Sequence, residues 1–165
     1  MHLLILGYSS IVRRRVVPAA RTLERVTRIS IASHTRGASD MPDGVGWYGD
    51  YQEALASSGA DVVYVSGTNA THGRWVSEAL TQGLHTIVDK PAFLDVHSAE
   101  RLVALAQSVG KGLAEATVFA FHPQFTLLRS LLTASEREST RATAILSIPP
   151  LPADNFRYRV DAGGG

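Results

Sequence analysis

Apolar residues recur along the chain in short continuous runs that alternate with segments of helical spacing. The first run, residues 3–6, is closed by Gly7, a pattern typical of a strand buried on both faces of a parallel sheet. Residues 10–22 carry apolar positions at helical spacing and are predicted to be a helix, with a kink or restart at Pro18. Residues 26–32 are predicted to be the second strand.

The same alternation continues towards the C-terminus. A loop rich in Gly, Pro and Asp is predicted at 37–49, with a short third strand at 47–48, followed by a helix that Asp50 caps and that runs through Leu55. Further strands are predicted at 61–66, 85–88 and 113–119, and a helix at 71–82 that Gly83 stops. One more helix is predicted between its N-cap Asp95 and Gly110. Its apolar face comprises Ala99, Leu102, Val103, Ala106 and Val109.

Strands that alternate with helices in this way predict right-handed βαβ crossovers and an α/β fold, a doubly wound parallel sheet of the Rossmann type. Such sheets bind nucleotides where the strand order reverses. After Pro123 the pattern changes to a helix at 125–132, a strand at 141–148, several prolines and a terminal triple glycine. We predict a nucleotide-binding domain at 1–120 and, at 121–165, the incomplete beginning of a second domain.

The composition indicates a globular protein and excludes several partners. The chain has 165 residues, of which 45% are hydrophobic and 19% charged, with a net charge of +1. Because the basic residues are scattered, neither nucleic acid nor a membrane surface is predicted as a partner. Residues 13–15 form the one basic cluster, interpreted as the solvated face of a helix; a contact to a cofactor phosphate is the alternative.

The chain contains no cysteine, so a disulfide framework, a zinc-thiolate site and a thiol nucleophile are excluded. No metal site is predicted. The N-terminus lacks the features of a signal peptide, and no stretch approaches the length of a membrane span. These features predict a soluble, cytoplasmic protein.

The turn after the first strand occupies the place of the dinucleotide fingerprint G-x-G-x-x-G. It reads Gly7-Tyr8-Ser9-Ser10-Ile11-Val12 and keeps only the first glycine. Small residues let backbone N–H groups approach a pyrophosphate, and the hydroxyls of Ser9 and Ser10 add donors. From this motif alone, a tight turn without a ligand is an equal interpretation.

The end of the second strand reads Ser33-His34-Thr35-Arg36, with no carboxylate before Asp40. A carboxylate at this place binds the ribose 2′-hydroxyl of NAD, whereas a hydroxyl and a guanidinium suit a 2′-phosphate. The sequence therefore predicts NADP(H) over NAD(H), with NAD as the alternative cofactor. For Arg36 taken alone, a basic surface loop is an equal interpretation.

Two further strand ends carry groups able to contact a ligand. The segment Thr68-Asn69-Ala70-Thr71-His72 follows the fourth strand, and Asp89-Lys90-Pro91 follows the fifth. Asn69 or Thr71 can simply cap a helix, and a lone histidine is more often structural. Because neighbouring parallel strands end at the same sheet edge, these groups are predicted to surround one spot.

Four stretches together are similar to the Gfo/Idh/MocA family of NAD(P)-dependent oxidoreductases. Residues 63–72 and 79–91 resemble the family's "tPN..H" strand end and its "AL.aGkHvl.EKP" segment. Residues 115–124 resemble its "EA....R.HPQ" junction between domains, and residues 154–165 resemble "dnfR....GGG". The matches run in family order along the whole chain.

The resemblance implies a role for each matching position. Lys90 would hydrogen-bond the reacting substrate oxygen beside the nicotinamide, and Pro91 would shape that turn, often through a cis bond. Gly7, Tyr8, Ser9, Ser10 and Ile11 would face the pyrophosphate, and Ser33, His34 and Arg36 the adenosine ribose. The nicotinamide half would be contacted by Ser66, Thr68, Asn69 and His72, with Arg157 near the nicotinamide or substrate. Asp89, Lys90 and Pro91 are also counted among the cofactor-binding residues.

The chain also departs from the family pattern. Asp89 replaces the usual glutamate, Ser9 and Val12 replace fingerprint glycine or alanine, and Ala120 stands where arginine is common. The family's proton donor or acceptor follows the triple glycine and lies outside this sequence.

The Phe-His-Pro-Gln and Asp-Asn-Phe-Arg segments favour sugar oxidoreductases, including nucleotide-sugar 3-ketoreductases. We expect hydride transfer involving a sugar or nucleotide-sugar substrate. The resemblance also implies that residues 1–120 bind a dinucleotide and that residues 121–165 begin an α+β substrate and oligomerisation domain, through which a homo-oligomer could form. Two alternatives are a non-catalytic dinucleotide-binding sensor or scaffold and a protein-interaction domain without a ligand.

Overall fold

The computed structural model describes residues 1–134, the positions 141, 143, 145 and 147, and residues 149–164. Its described part contains one parallel sheet of six strands in the order β3-β2-β1-β4-β5-β6. The strands are β1 (His2–Leu6), β2 (Arg28–Ala32), β3 (Gly46–Tyr48), β4 (Val62–Val65), β5 (His85–Val88) and β6 (Leu113–Glu115). The strand order reverses between β1 and β4, as in a Rossmann fold, which confirms the predicted fold class.

Helices connect the strands across both faces of the sheet. A π-helical stretch, Val12–Val16, leads into α1 (Val17–Arg21), and the predicted restart at Pro18 falls within the first turn of α1. The remaining helices are α2 (Tyr51–Ser57), α3 (Asn69–Thr81), α4 (Val96–Ser108) and α5 (Pro123–Thr133). The caps predicted for α2 and α4 are confirmed: Asp50 accepts from the N–H of Glu53 at 2.9 Å, and Asp95 from that of Ser98 at 2.7 Å.

The two faces of the sheet bury separate apolar clusters. Leu4 and Leu6 of β1 pack on the face that α2, α3 and α4 cover, whereas Leu3 and Ile5 pack on the face covered by α1. Because successive side chains of a strand point to opposite faces, a run that is apolar at every position supplies both clusters. Each fully buried leucine or isoleucine contributes about 2 kcal/mol to stability.

Two predictions about individual elements are wrong. The strand predicted at 113–119 ends at Glu115, and the 3-10 helix Val118–Phe121 follows a turn in which Thr117 donates to the carbonyl of Glu115. In α4, Val103 is 45% exposed, and Leu105 packs on the core in its place. The buried stripe of α4 consists of residues three or four positions apart, among them Leu102 and Leu105. Val103 lies to one side of this stripe.

The C-terminal part of the described chain packs against the start of α3. Two 3-10 turns, Phe156–Tyr158 and Val160–Ala162, lead to Gly163, whose carbonyl oxygen accepts from Nδ2 of Asn69 at 2.9 Å. A Cβ on Gly163 would lie 2.8 Å from the Cβ of Asn69, and its φ is +75°, so glycine is required here. Half of the strand predicted at 141–148, and Gly165, lie outside the described residues. None of the described helices has the length and apolar character needed to cross a membrane.

Candidate functional site

The turn after β1 brings the chain against the end of β4. Gly7 has a φ of +99°, and a Cβ at this position would lie 2.3 Å from the carbonyl oxygen of Ser66. Any other residue would therefore clash with the backbone of the neighbouring strand. The first fingerprint glycine is required by this approach. Tyr8, Ser9 and Ser10 precede the helix, and their backbone N–H groups donate to no other backbone group in the turns and loops of the described chain. These donors are therefore available to a ligand.

The side chain of Ser9 is turned towards β4. Its Oγ lies 2.9 Å from Oγ of Ser66, and it accepts a hydrogen bond from the backbone N–H of Val12 at 3.2 Å. Ser9 stands at the position of the second fingerprint glycine and Val12 at that of the third. Val12 is fully buried in the core beneath the turn. The two residues that depart from the fingerprint are thus in contact with each other.

Asp89, at the end of β5, accepts two hydroxyl hydrogen bonds. Tyr64 donates to Oδ1 at 2.5 Å, and Ser66 donates to Oδ2 at 2.6 Å. Burial raises the pKa of Tyr64, and the hydrogen bond to the Asp89 carboxylate raises it further. This carboxylate is therefore held against β4, one residue before Lys90.

The segment that carries Lys90 is held by Glu115. The Lys90–Pro91 peptide bond is cis. Glu115 accepts from the N–H of Ala92 at 2.8 Å through Oε2, and from the hydroxyl of Thr117 through Oε1. The pKa of Glu115 is lowered by the Thr117 hydroxyl, then by the Ala92 N–H, and also by the charge of Lys90. The Lys90 side chain itself is exposed.

His72 is fully buried between the ends of β4 and β5. Its Nδ1 lies 3.0 Å from the carbonyl oxygen of Pro91, and its Nε2 lies 3.3 Å from the carbonyl oxygen of Gly67. The imidazole therefore joins the two loops through their backbones. This placement matches the structural interpretation of a lone histidine that the sequence left open.

A cavity of about 390 Å³ lies at the carboxyl edge of the sheet, where the strand order reverses. Its walls come from the turn after β1, the ends of β4 and β5, and the C-terminal segment. The lining residues are Ser9, Ser10, Ile11, Arg14, Ser66, Gly67, Asn69, Asp89, Lys90, Leu151, Asn155 and Arg157. The structure thus brings eight of the predicted residues together: Ser9, Ser10, Ile11, Ser66, Asn69, Asp89, Lys90 and Arg157.

A second, smaller pocket of about 180 Å³ lies at the ends of β1 and β2, lined by Tyr8, Ser10, Arg13, Arg36 and Asp40. We call it the arginine pocket. Arg13, for which the sequence favoured a solvated helix face, lines the same pocket as Arg36. The carboxylate of Asp40 accepts from the N–H of Gly37 at 2.9 Å.

Six predicted residues do not line either cavity: Gly7, Ser33, His34, Thr68, His72 and Pro91. The buried Ser33 accepts from the N–H groups of Thr35 and Arg36, and so shapes the loop that carries the Arg36 guanidinium. The ring of His34 stacks on Tyr51 at a centroid distance of 4.1 Å. Thr68 is the N-cap of α3 by position.

The sequence did not indicate a role for Tyr64 or for Glu115, and for Arg13 it offered a contact to a cofactor phosphate only as the alternative to a solvated helix face. Tyr64 lies inside a strand and resembles any other core aromatic residue. Glu115 carries a detectable signal, because it ends a strand at the same sheet edge as Asp89. No group of three His, Cys, Asp or Glu side chains close enough to hold a metal ion occurs among the residues that the structure describes.

Residues 1–117 match a family model described as an oxidoreductase family with an NAD-binding Rossmann fold, GFO_IDH_MocA. The chain belongs to the Gfo/Idh/MocA oxidoreductase family. This membership confirms the resemblance carried by residues 63–72 and 79–91. It also agrees with a ligand site at the reversal of the strand order.

Individual relatives match almost the entire chain. The dTDP-3,4-didehydro-2,6-dideoxy-alpha-D-glucose 3-reductase of Streptomyces violaceoruber is 32% identical over 98% of this chain and 48% of its own length. The D-xylose 1-dehydrogenase (NADP(+)) 2 of Haloferax volcanii is 28% identical over 98% of this chain and 51% of its own length. The chain spans about half the length of the curated relatives it matches.

Among solved structures, KijD10 superposes closely on this fold. KijD10 is a 3-ketoreductase from Actinomadura kijaniata, solved in complex with NADP and TDP-benzene. The superposition has a TM-score of 0.89 at 30% sequence identity and covers 100% of this chain and 52% of KijD10.

Proposed function

We propose that this chain is the cofactor-binding part of an NADP(H)-dependent oxidoreductase. The reaction would move a hydride between nicotinamide and a ketone or hydroxyl of a sugar or nucleotide sugar. The observation that carries the proposal is the cavity of about 390 Å³, in which Lys90 and the turn after β1 face the same space. The 3-reductase and 3-ketoreductase relatives support the nucleotide-sugar substrate class.

The described residues fit a dinucleotide. The N–H groups of Tyr8, Ser9 and Ser10 suit the oxygens of a pyrophosphate at the start of a helix. The arginine pocket is adjacent, since Tyr8 and Ser10 line it and Ser10 also lines the larger cavity. A cofactor that crosses this sheet edge would place its adenosine end near Arg36 and its nicotinamide end near Lys90.

Lys90 is proposed as the catalytic residue. When bound, the nicotinamide supplies or accepts the hydride. The Lys90 ammonium donates a hydrogen bond to the reacting oxygen of the substrate and stabilises the negative charge that develops there. Glu115 holds the backbone of Ala92 and so limits the positions that Lys90 can reach. Arg157 lines the same cavity and would orient the substrate.

The arginine pocket favours NADP(H) over NAD(H). Two guanidinium groups, from Arg13 and Arg36, and one carboxylate, from Asp40, leave a net positive charge for a 2′-phosphate. The negative charge of Asp40 repels a 2′-phosphate. The pocket should therefore discriminate less strongly between NADP(H) and NAD(H) than a pocket lined by arginine alone. The relatives named for NADP support the same cofactor.

Calorimetric titration of the 165-residue chain with NADPH and with NADH tests the cofactor proposal. We expect NADPH to bind at least tenfold more tightly than NADH, because the 2′-phosphate adds charge-assisted hydrogen bonds worth about 1.5–3 kcal/mol. Tighter binding of NADH would refute the NADP preference. A flat titration with both cofactors would refute the cofactor-binding function itself.

The substrate class requires a catalytic assay. A chimera that continues residue 165 with the second half of a dTDP-sugar 3-reductase would be assayed with NADPH and a dTDP-3-ketosugar. Turnover with the nucleotide sugar, and none with the free sugar, supports a nucleotide-sugar substrate. The reverse pattern would contradict it. Cytoplasmic location and homo-oligomer formation stay predictions, which fractionation of cells and light scattering of the chimera would test.

A further inference from the structure

Three side chains form a continuous series of hydrogen bonds between the turn after β1 and the end of β5. Oγ of Ser9 lies 2.9 Å from Oγ of Ser66, and Ser66 donates to Oδ2 of Asp89 at 2.6 Å. At the other end, the N–H of Val12 donates to Oγ of Ser9 at 3.2 Å. We call this series the serine relay.

The donor and the acceptor of each hydrogen bond in the serine relay can be assigned from the groups at its two ends, the Asp89 carboxylate and the N–H of Val12. The Asp89 carboxylate only accepts, so the hydroxyl proton of Ser66 is directed to Asp89. The oxygen of Ser66 must then accept from Ser9, and the oxygen of Ser9 accepts from the N–H of Val12. Each serine hydroxyl therefore has one orientation within the relay, and Ser66 is 4% exposed.

We propose that Ser66 and Asp89 are positioning residues that hold the Ser9 side chain away from the cofactor face of the turn. Ser9 occupies the place of the second fingerprint glycine, whose absence of a side chain lets the backbone approach a pyrophosphate. A serine whose hydroxyl is bound towards β4 leaves that approach open. The serine relay thereby replaces the missing glycine. The consequence for the cofactor rests on the proposed function.

The serine relay also connects the two halves of the site. Asp89 is adjacent to Lys90, and its second oxygen is fixed by Tyr64, so the carboxylate cannot rotate without losing a hydrogen bond. A change at Asp89 is therefore transmitted to the turn after β1. The substitution of the family's glutamate by aspartate shortens the side chain and suits this inward contact with β4.

The test on cofactor affinity uses Ser66→Ala in two backgrounds. With Ser9 present, Ser66→Ala frees the Ser9 hydroxyl to rotate outward, and we expect NADPH to bind about three- to tenfold more weakly. In the Ser9→Gly background there is no side chain to displace, so the same change should alter affinity by less than about twofold. Equal losses in both backgrounds would overturn the inference.

A second measurement needs no cofactor. In urea unfolding, the double variant Ser9→Ala/Ser66→Ala should lower the midpoint by clearly less than the sum of the two single variants. The reason is that each single change already removes the same hydrogen bond between Ser9 and Ser66. Ser9→Ala with Ser108→Ala is the control. The Ser108 hydroxyl donates to the carbonyl of Leu105 on the surface of α4, so this pair should be additive.

The outcomes separate the two proposals. If the unmodified chain fails to bind NADPH, the proposed function is refuted, and the urea cycle alone decides whether the serine relay exists. If the urea cycle is additive, the relay is refuted whatever the affinity. If the cycle is coupled while Ser66→Ala leaves NADPH affinity unchanged, the relay only stabilises the fold and the positioning role is wrong.

Discussion

The arginine pocket and the surroundings of Asp89 lie at the same sheet edge but are built from different kinds of side chain. In the arginine pocket, Arg13, Arg36 and Asp40 are exposed charged residues. Around Asp89, the hydroxyls of Ser66 and Tyr64 are buried, and each is committed to another side chain. One end of the site is therefore a set of independent charges, and the other is a connected network.

This difference predicts different consequences for mutations. Exposed charges can be exchanged without an effect on folding, because water solvates whatever remains. A buried hydroxyl that loses its partner costs about 1–3 kcal/mol, so changes around Asp89 affect stability and geometry together. On the proposed function, substitutions in the arginine pocket would therefore change the cofactor preference without affecting the fold, whereas the position of Lys90 depends on the fold.

The largest effect is expected at Gly7, which begins the turn that contributes residues to both regions. Gly7→Ala would place a Cβ 2.3 Å from the Ser66 carbonyl oxygen at a φ of +99°, and should lower the free energy of unfolding by about 3 kcal/mol or more. Urea unfolding measures the loss. Gly44→Ala is the matched control, since it also has a positive φ but no heavy atom within 4 Å of the added Cβ. Equal losses would show that the contact with Ser66 has no role.

Lys90→Ala should lower turnover about 100- to 1000-fold in the chimera with a 3-reductase, because the developing charge on the substrate oxygen loses its donor. NADPH affinity should change by less than about threefold, since the role proposed for the ammonium is towards the substrate. Stopped-flow turnover and fluorescence titration give the two values. An equal loss in both would identify Lys90 as a cofactor anchor instead.

Arg36→Ala tests the independent charges of the arginine pocket. NADPH should bind about tenfold more weakly, because a charge-assisted hydrogen bond to the 2′-phosphate is lost, and NADH affinity should stay within about twofold. The urea midpoint should not move. A parallel loss for both cofactors would show that Arg36 acts through the fold of its loop.

Asp40→Asn in the same pocket should strengthen NADPH binding, whereas Arg36→Ala weakens it. Removal of the carboxylate relieves its repulsion of a 2′-phosphate, and NADPH should bind about threefold more tightly at low salt. The gain should shrink as salt screens the charges. A weaker NADPH complex would instead mean that the hydrogen bond to Gly37 shapes the pocket.

The smallest effect concerns pH and Glu115. Because hydrogen bonds lower the pKa of this carboxyl in the folded state, it stabilises the fold above the ordinary glutamate pKa of about 4.3. That contribution is lost as the pH falls through the lowered folded-state pKa. Glu115 is exposed, so we expect only about 0.5 kcal/mol. The free energy of unfolding would be measured for Glu115→Gln and for the unmodified chain between pH 7 and pH 3. The two values should differ most at neutral pH.

Much of the site could be predicted because parallel strands end at one edge. Ser66, Asp89 and Lys90 each follow an apolar run in the sequence, and such positions converge in any doubly wound sheet. The partners of these residues could not be predicted. Nothing in a run of β-branched residues distinguishes Tyr64, which binds Asp89, from an ordinary core aromatic residue.

The burial of His72 and the exposure of Val103 could not be predicted either, because both depend on tertiary packing. The sequence left open whether His72 binds a ligand or is structural, and only the packing of α3 against the loops at Gly67 and Pro91 buries it. Val103 fits a helical stripe within the tolerance of the pattern. Its exposure depends on the rotation of α4 about its own axis, which neighbouring elements set.

By itself the sequence determined the order of strands and helices, the turn at Gly7 and the convergence of Asp89 and Lys90 on one edge. These follow from local periodicity and from the steric demands of glycine and proline. The tertiary structure alone decided that the Ser9 hydroxyl turns to Ser66, and that Arg13 and Arg36 line one pocket. Both results depend on residues far apart in the chain that the fold brings together, and the orientation of the Ser9 hydroxyl is set by a hydrogen bond that no local pattern encodes.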